Sequence, residues 1–102
     1  MNDFGKIVYG EVERIVLLSS TRPINSQFSK GDLRIGTAYG RIDEKFYTLV
    51  HNFGENSMSS RKYVQILEDN GKMGYTIWAD GSSDRALPSN LVDVLRKFKY
   101  SE

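Results

Sequence analysis

A chain of 102 residues, 39% hydrophobic and 26% charged, carries about one domain's worth of globular sequence. That length excludes a two-domain enzyme, a long repeat array and a bundle of membrane-spanning helices. Fourteen Lys and Arg against thirteen Asp and Glu leave a net charge of +1, which indicates neither a polyanion mimic nor a strongly basic nucleic-acid binder.

In chain order, the first signal is a period of two from Ile7 to Leu18, with Val8, Val12, Val16 and Leu18 on one side and Ile7, Tyr9, Ile15 and Leu17 on the other. This pattern predicts a long first strand, bent or bulged at Gly10. The Ser, Thr, Pro, Asn and Gly residues that follow, as far as Asp32, predict a long loop. Leu33–Tyr39 reads as a second strand and Phe46–His51 as a third, with a turn at Arg41–Glu44 between them. Asn52–Ser60 is polar and small, a second loop. Lys62–Glu68 alternates as a fourth strand, and Gly74–Asp80 returns as a fifth. Asn70-Gly71 between them suits a two-residue type I′ turn, because both positions tolerate positive φ. After Pro88 the period changes: Leu91, Val94, Leu95 and Phe98 recur at helical spacing. Ser89 or Asn90 is expected to cap that helix, and Leu95 and Phe98 to be buried against the sheet. The predicted architecture is therefore mainly β within a β-rich α+β class: a five-stranded antiparallel, small-barrel-like sheet with one short C-terminal helix, spanning 1–102 as a single domain.

Catalytic constellations are weak. Without cysteine there is no disulfide, thiol nucleophile or cysteine-ligated zinc, and one histidine excludes a histidine-rich metal site. His51 closes an aromatic strand and reads as a structural or surface residue rather than as a general base. Ser59-Ser60-Arg61-Lys62 matches a bare S-x-x-K string without the further motifs its chemistry needs. The acid pairs Asp43-Glu44 and Glu68-Asp69 adjoin turns, where solvated carboxylates are routine. Gly31 to Thr37 has the glycines of a phosphate loop but lacks its lysine and lies on a predicted strand. Asp80 and Asp84 flank a turn without the ligand set of a calcium loop. No enzyme activity, cofactor or metal is expected. Neither a signal peptide nor a spanning segment is apparent, so a cytoplasmic protein with no membrane contact is the expectation.

The second half resembles the closing portion of a Src-homology-three domain. The resemblance rests on Val64-Gln65-Ile66-Leu67-Glu68, Trp78-Ala79 and Ala86-Leu87-Pro88-Ser89-Asn90-Leu91-Val92, with Phe28-Ser29-Lys30-Gly31-Asp32-Leu33 further back. It implies a similar small barrel. The aromatic residues of that family's ligand groove are not matched: Thr76 stands at the first tryptophan position and Leu91 at the tyrosine after Ser-Asn.

Twelve aromatic residues (six Tyr, five Phe, one Trp) exceed what one small core needs, and Tyr and Trp favour interfaces. The function expected is a non-enzymatic protein-binding module that docks on a larger protein. That profile fits a small phage or mobile-element inhibitor or regulator of a bacterial host machine. Binding residues are expected on the two long loops, at Arg22, Phe28, Phe53 and Met58. The alternative is a single-stranded nucleic-acid-binding small barrel, using Arg34, Tyr39, Arg41, Lys45 and Tyr47 for stacking and phosphate contacts.

Overall fold

The computed structural model describes residues 3–19, 35–52, 61–68 and 74–101. Helix α1 (Asp3–Ser19) leads to strands β1 (Ile35–Ile42), β2 (Lys45–Asn52), β3 (Tyr63–Glu68) and β4 (Gly74–Trp78). Helix α2 (Leu91–Arg96) and strand β5 (Lys99–Ser101) complete the described chain. The strands form one antiparallel sheet in the order β4-β3-β2-β1-β5. The β-rich α+β class and five antiparallel strands are as predicted. The sheet is open, with β4 and β5 at its edges, and does not close into the expected small barrel.

The main correction is the first element. Ile7–Leu18 is not a strand; it lies within α1, a 17-residue helix. Positions 8, 12 and 16 fit both a two-residue and a helical repeat, so the valines alone do not discriminate. Their neighbours do. The strand reading grouped Ile7, Tyr9, Ile15 and Leu17 on one side, yet Tyr9 and Ile15 are buried while Ile7 and Leu17 are half exposed. The buried set Gly5, Val8, Tyr9, Val12, Ile15 and Val16 follows a spacing of three and four, and its stripe packs on the sheet. Glu11, Glu13 and Arg14, which interrupt both alternating rows, are the sequence signal for the helix. Gly10 accordingly marks no bulge: it lies on the exposed side of α1, and a Cβ there would meet nothing within 4 Å. Gly10→Ala should stabilise the protein by about 0.5–1 kcal/mol in urea unfolding, because alanine loses less backbone entropy in a helix. A strand bulge would show no such gain.

The second correction is at the other end. The short helix is present, but the expected side-chain cap is absent: Asn90 occupies the N-cap position without a side-chain hydrogen bond. The helix does not close the chain either, since β5 follows and pairs with β1 through Tyr39–Ser101, Gly40–Tyr100 and Arg41–Lys99. Leu95 and Phe98 are buried as expected. The turn at 43–44 is a two-residue hairpin with both residues at positive φ (49° and 69°), the type I′ geometry. The Asn70-Gly71 turn expected between the fourth and fifth predicted strands lies outside the described residues.

Cross-strand partners share a face, which divides the sheet in two. The inner face carries Ala38, Ile42, Leu49, His51, Val64, Ile66 and Ile77, all buried beneath the helices. The outer face carries Thr37, Tyr39 and Arg41 from β1, Phe46, Thr48 and Val50 from β2, and Tyr63, Gln65, Leu67, Thr76 and Trp78 from β3 and β4. Among the described elements, no helix packs there. The β4 edge is covered by the following turn: Trp78 N–H donates to Ser82 O (2.8 Å), and Asp84 N–H to Thr76 O (3.0 Å). Asp84 Oδ1 accepts from Thr76 N–H and Asp80 Oδ1 from Ser82 N–H, so both carboxylates serve the turn.

Candidate functional site

α1 lies toward one end of the strands. Its start packs Gly5 against the Gly81 carbonyl, and its middle brings Tyr9 and Glu13 to His51. Tyr9 Oη is 3.1 Å and Glu13 Oε2 3.4 Å from His51 Nε2, and the Tyr9 and His51 rings meet edge to face at 5.7 Å. His51 is 1% exposed. Burial, reinforced by Lys62, pulls its pKa down to about 4. The ring is therefore neutral at pH 7 and belongs to the core, as the structural reading expects. Burial and Glu13 push the Tyr9 hydroxyl up to about 12. On the flank, Glu11 accepts from Arg14 of its own helix and from Arg96 Nε of α2 (2.9 Å). Burial alone would raise the Glu11 carboxyl, but these guanidinium groups hold it below the ordinary range.

Around the β1–β2 turn, α2 lies over the inner face, and none of the described helices covers the outer face. Two features meet there, one on each face. On the outer face, Tyr39 (48% exposed) and Phe46 (37% exposed) occupy neighbouring strands as diagonal partners. Arg41 stands directly opposite Phe46 on one side and Lys99 on the other, and both cations are exposed. No outer-facing strand position among the described residues is Asp or Glu; Asp43 and Glu44 lie in the turn between Arg41 and Phe46. At the far corner of the same face the Arg61 guanidinium lies 4.9 Å from the Trp78 ring centroid.

On the inner face, a cavity of about 270 Å³ opens between the sheet and the start of α2. Buried Ile42, Ile66 and Leu91 form its floor, while Tyr47 and Tyr75 supply half-buried rings. Asp43, Lys45 and Asn90 are exposed at its rim, and Glu68 stands directly opposite Tyr47 on β3.

The residues expected to bind nucleic acid are thus divided. Tyr39 and Arg41 share the outer patch, whereas Lys45 and Tyr47 face the inner cavity. Strand alternation alone requires this split: a two-residue hairpin pairs 39 with 48 and 41 with 46, leaving 45 and 47 on the other face. Arg34, and the loop residues Arg22, Phe28, Phe53 and Met58, lie outside the described residues. Lys99, a cation of the basic C-terminal end, joins Tyr39 and Arg41 on the outer patch, and Phe46 completes it without having been singled out. Phe46 is legible from the hairpin register; the pairing of Lys99 with Arg41 is not, because β5 carries no periodic signal. Among the described residues no three His, Asp or Glu side chains converge as a metal site would require, and no helix is long and apolar enough to cross a membrane. Compared with family models, curated proteins and solved structures, the chain matches none.

Proposed function

We propose that the chain is a non-enzymatic protein-binding module that docks on a larger protein through the outer face of the β1–β2 hairpin. The observation that supports this reading is the pairing of two exposed rings, Tyr39 and Phe46, with Arg41 and Lys99 on a rigid sheet surface. Aromatic rings and arginine are the side chains on which interface energy concentrates, and on a sheet their backbone is already ordered before binding. An inhibitor or regulator of a larger machine would act in this way, by occupying a surface.

Single-stranded nucleic acid is the competing occupant, since rings beside cations also stack bases and meet phosphates. Two features favour protein. The net charge is only +1, and Asp43 and Glu44 sit at the tip of the same hairpin, where they weaken the positive field that phosphates need.

Affinity capture from nuclease-treated lysate of the source organism tests the proposal, with Tyr39→Ala/Phe46→Ala as the comparison. The expected result is a stoichiometric protein partner retained by the parent and lost by the variant, at a cost of about 2 kcal/mol or thirtyfold in affinity. Unchanged melting of the variant would show that folding is intact. A captured species that disappears on nuclease treatment, with affinity falling steeply and linearly in log salt, would instead identify the face as a nucleic-acid surface.

A further inference from the structure

The inner cavity is separate from the docking patch, on the other face of the sheet, and its lining has a chemistry of its own. Its volume of about 270 Å³ lies just under the usual range of ligand pockets, roughly 300–1,000 Å³, so it suits one side chain or a small amine better than a larger molecule. The floor is apolar, from Ile42, Ile66 and Leu91, and would accept an alkyl stem. Tyr47 and Tyr75 present aromatic rings, whose faces attract cations. Glu68 and Asp43 add two carboxylates against one ammonium, that of Lys45. Neither carboxylate is in an ion pair among the described residues.

We infer that this cavity is a recognition site for an alkylammonium or alkylguanidinium group, its stem on the Ile42–Ile66–Leu91 floor and its charge between the tyrosine rings and Glu68. The positions follow from the fold. Register places Tyr47 against Glu68 and Ile66 against Tyr75, so rings, carboxylate and apolar floor belong to adjacent strands of one rigid face. The first turn of α2 brings Leu91 to this floor and adds Val94 beside it. The electrical sign is consistent: burial raises the Tyr47 hydroxyl above its ordinary pKa, and Glu68, Tyr75 and Asp43 raise it further. An anionic ligand would meet two like charges, and a neutral one would leave both carboxylates without a counterion.

The same chemistry is available as a free small amine or as a lysine or arginine side chain on a protein. Amide chemical shifts of the full-length chain, followed during titration, distinguish these sources. The probes are n-butylammonium, N-butylguanidinium and the capped peptides Ac-Ala-Lys-Ala-NH2 and Ac-Ala-Arg-Ala-NH2, with n-butanol and butyrate as controls at constant ionic strength. Saturable shifts confined to residues 42–47, 66–68, 75 and 88–94 are expected with the cations and not with the controls. Glu68→Gln should weaken binding about tenfold, and Tyr75→Leu about fivefold, so a folding defect in one variant leaves the other informative. Peptides that bind at least as tightly as the free amines identify a protein side chain as the source; free amines that bind while the peptides do not identify a small molecule. Butanol or butyrate producing the same shifts, no saturable shift by about 50 mM of any cation, or full affinity in both folded variants would overturn the assignment.

Discussion

Leu95→Ala is expected to lower the stability of the protein by about 2–5 kcal/mol, a large share of the roughly 5–15 kcal/mol that holds a typical domain together. Leu95 is 1% exposed, on a helix of only six residues. A helix that short has no stability of its own in water, because nucleation is unfavourable and few hydrogen bonds follow it. α2 persists because Leu91, Val92 and Leu95 are buried. Truncating the central side chain removes its transfer energy and leaves a void that a tightly packed corner cannot fully close. The effect extends along the chain. Phe98 N–H donates to Leu95 O, and the Phe98 ring lies so close over Gly40 that a Cβ at that glycine would overlap it. β5 pairs with β1 at this same point. In urea the midpoint should fall with the slope unchanged, as for a pure loss of stability. A midpoint equal to the parent's would show α2 to be an appendage.

The second large effect is acid destabilisation through His51. Its folded-state pKa of about 4 lies below the ordinary histidine value of about 6.5, so between these values the unfolded chain binds a proton that the folded chain does not. Stability from this group is complete above about pH 7 and falls as the pH drops from about 6.5 to about 4. The loss amounts to about 3 kcal/mol. Among the described residues, Tyr9 and Glu13 from α1 face the ring, with Lys62 acting from ahead of β3. The lowered pKa of Glu11 adds a further loss only in the carboxylate range, below that window. Tyr9→Phe/His51→Leu removes both partners of the buried pair, and should flatten urea midpoints between about pH 7 and 5. A parent protein equally stable at both pH values would show that the ring is charged in the fold.

How much of this was legible depends on the element. β2, β3 and β4 were readable because branched and aromatic residues alternate with polar ones on half-buried strands, and turn residues separate them. α1 was misread because Val8, Val12 and Val16 satisfy two periods at once, and β-branched residues carry a strand bias that tertiary packing overrides here. Three residues of β5 are too few for any periodic signal; they pair only because α2 delivers Lys99 beside Arg41. For the site, Tyr39 and Arg41 are legible as a ring and a cation close in sequence, although Arg41 is expected in the turn and lies instead on β1. Their separation from Lys45 and Tyr47 followed from alternation, yet the sequence reading grouped them by proximity. The cavity was illegible, since Tyr47, Glu68, Tyr75 and Leu91 come from four elements that only the sheet order and α2 bring together.

Docking through the outer hairpin face is tested most directly by site-specific photo-cross-linking. A photoreactive phenylalanine analogue replaces Tyr39, Phe46 or, as the control, Ile7, which is half exposed on α1. The adducts are then resolved in lysate of the source organism. One discrete protein adduct shared by positions 39 and 46, and absent from position 7, is the expected result. Adducts of equal yield at all three positions, or adducts at 39 and 46 that nuclease removes, would contradict it.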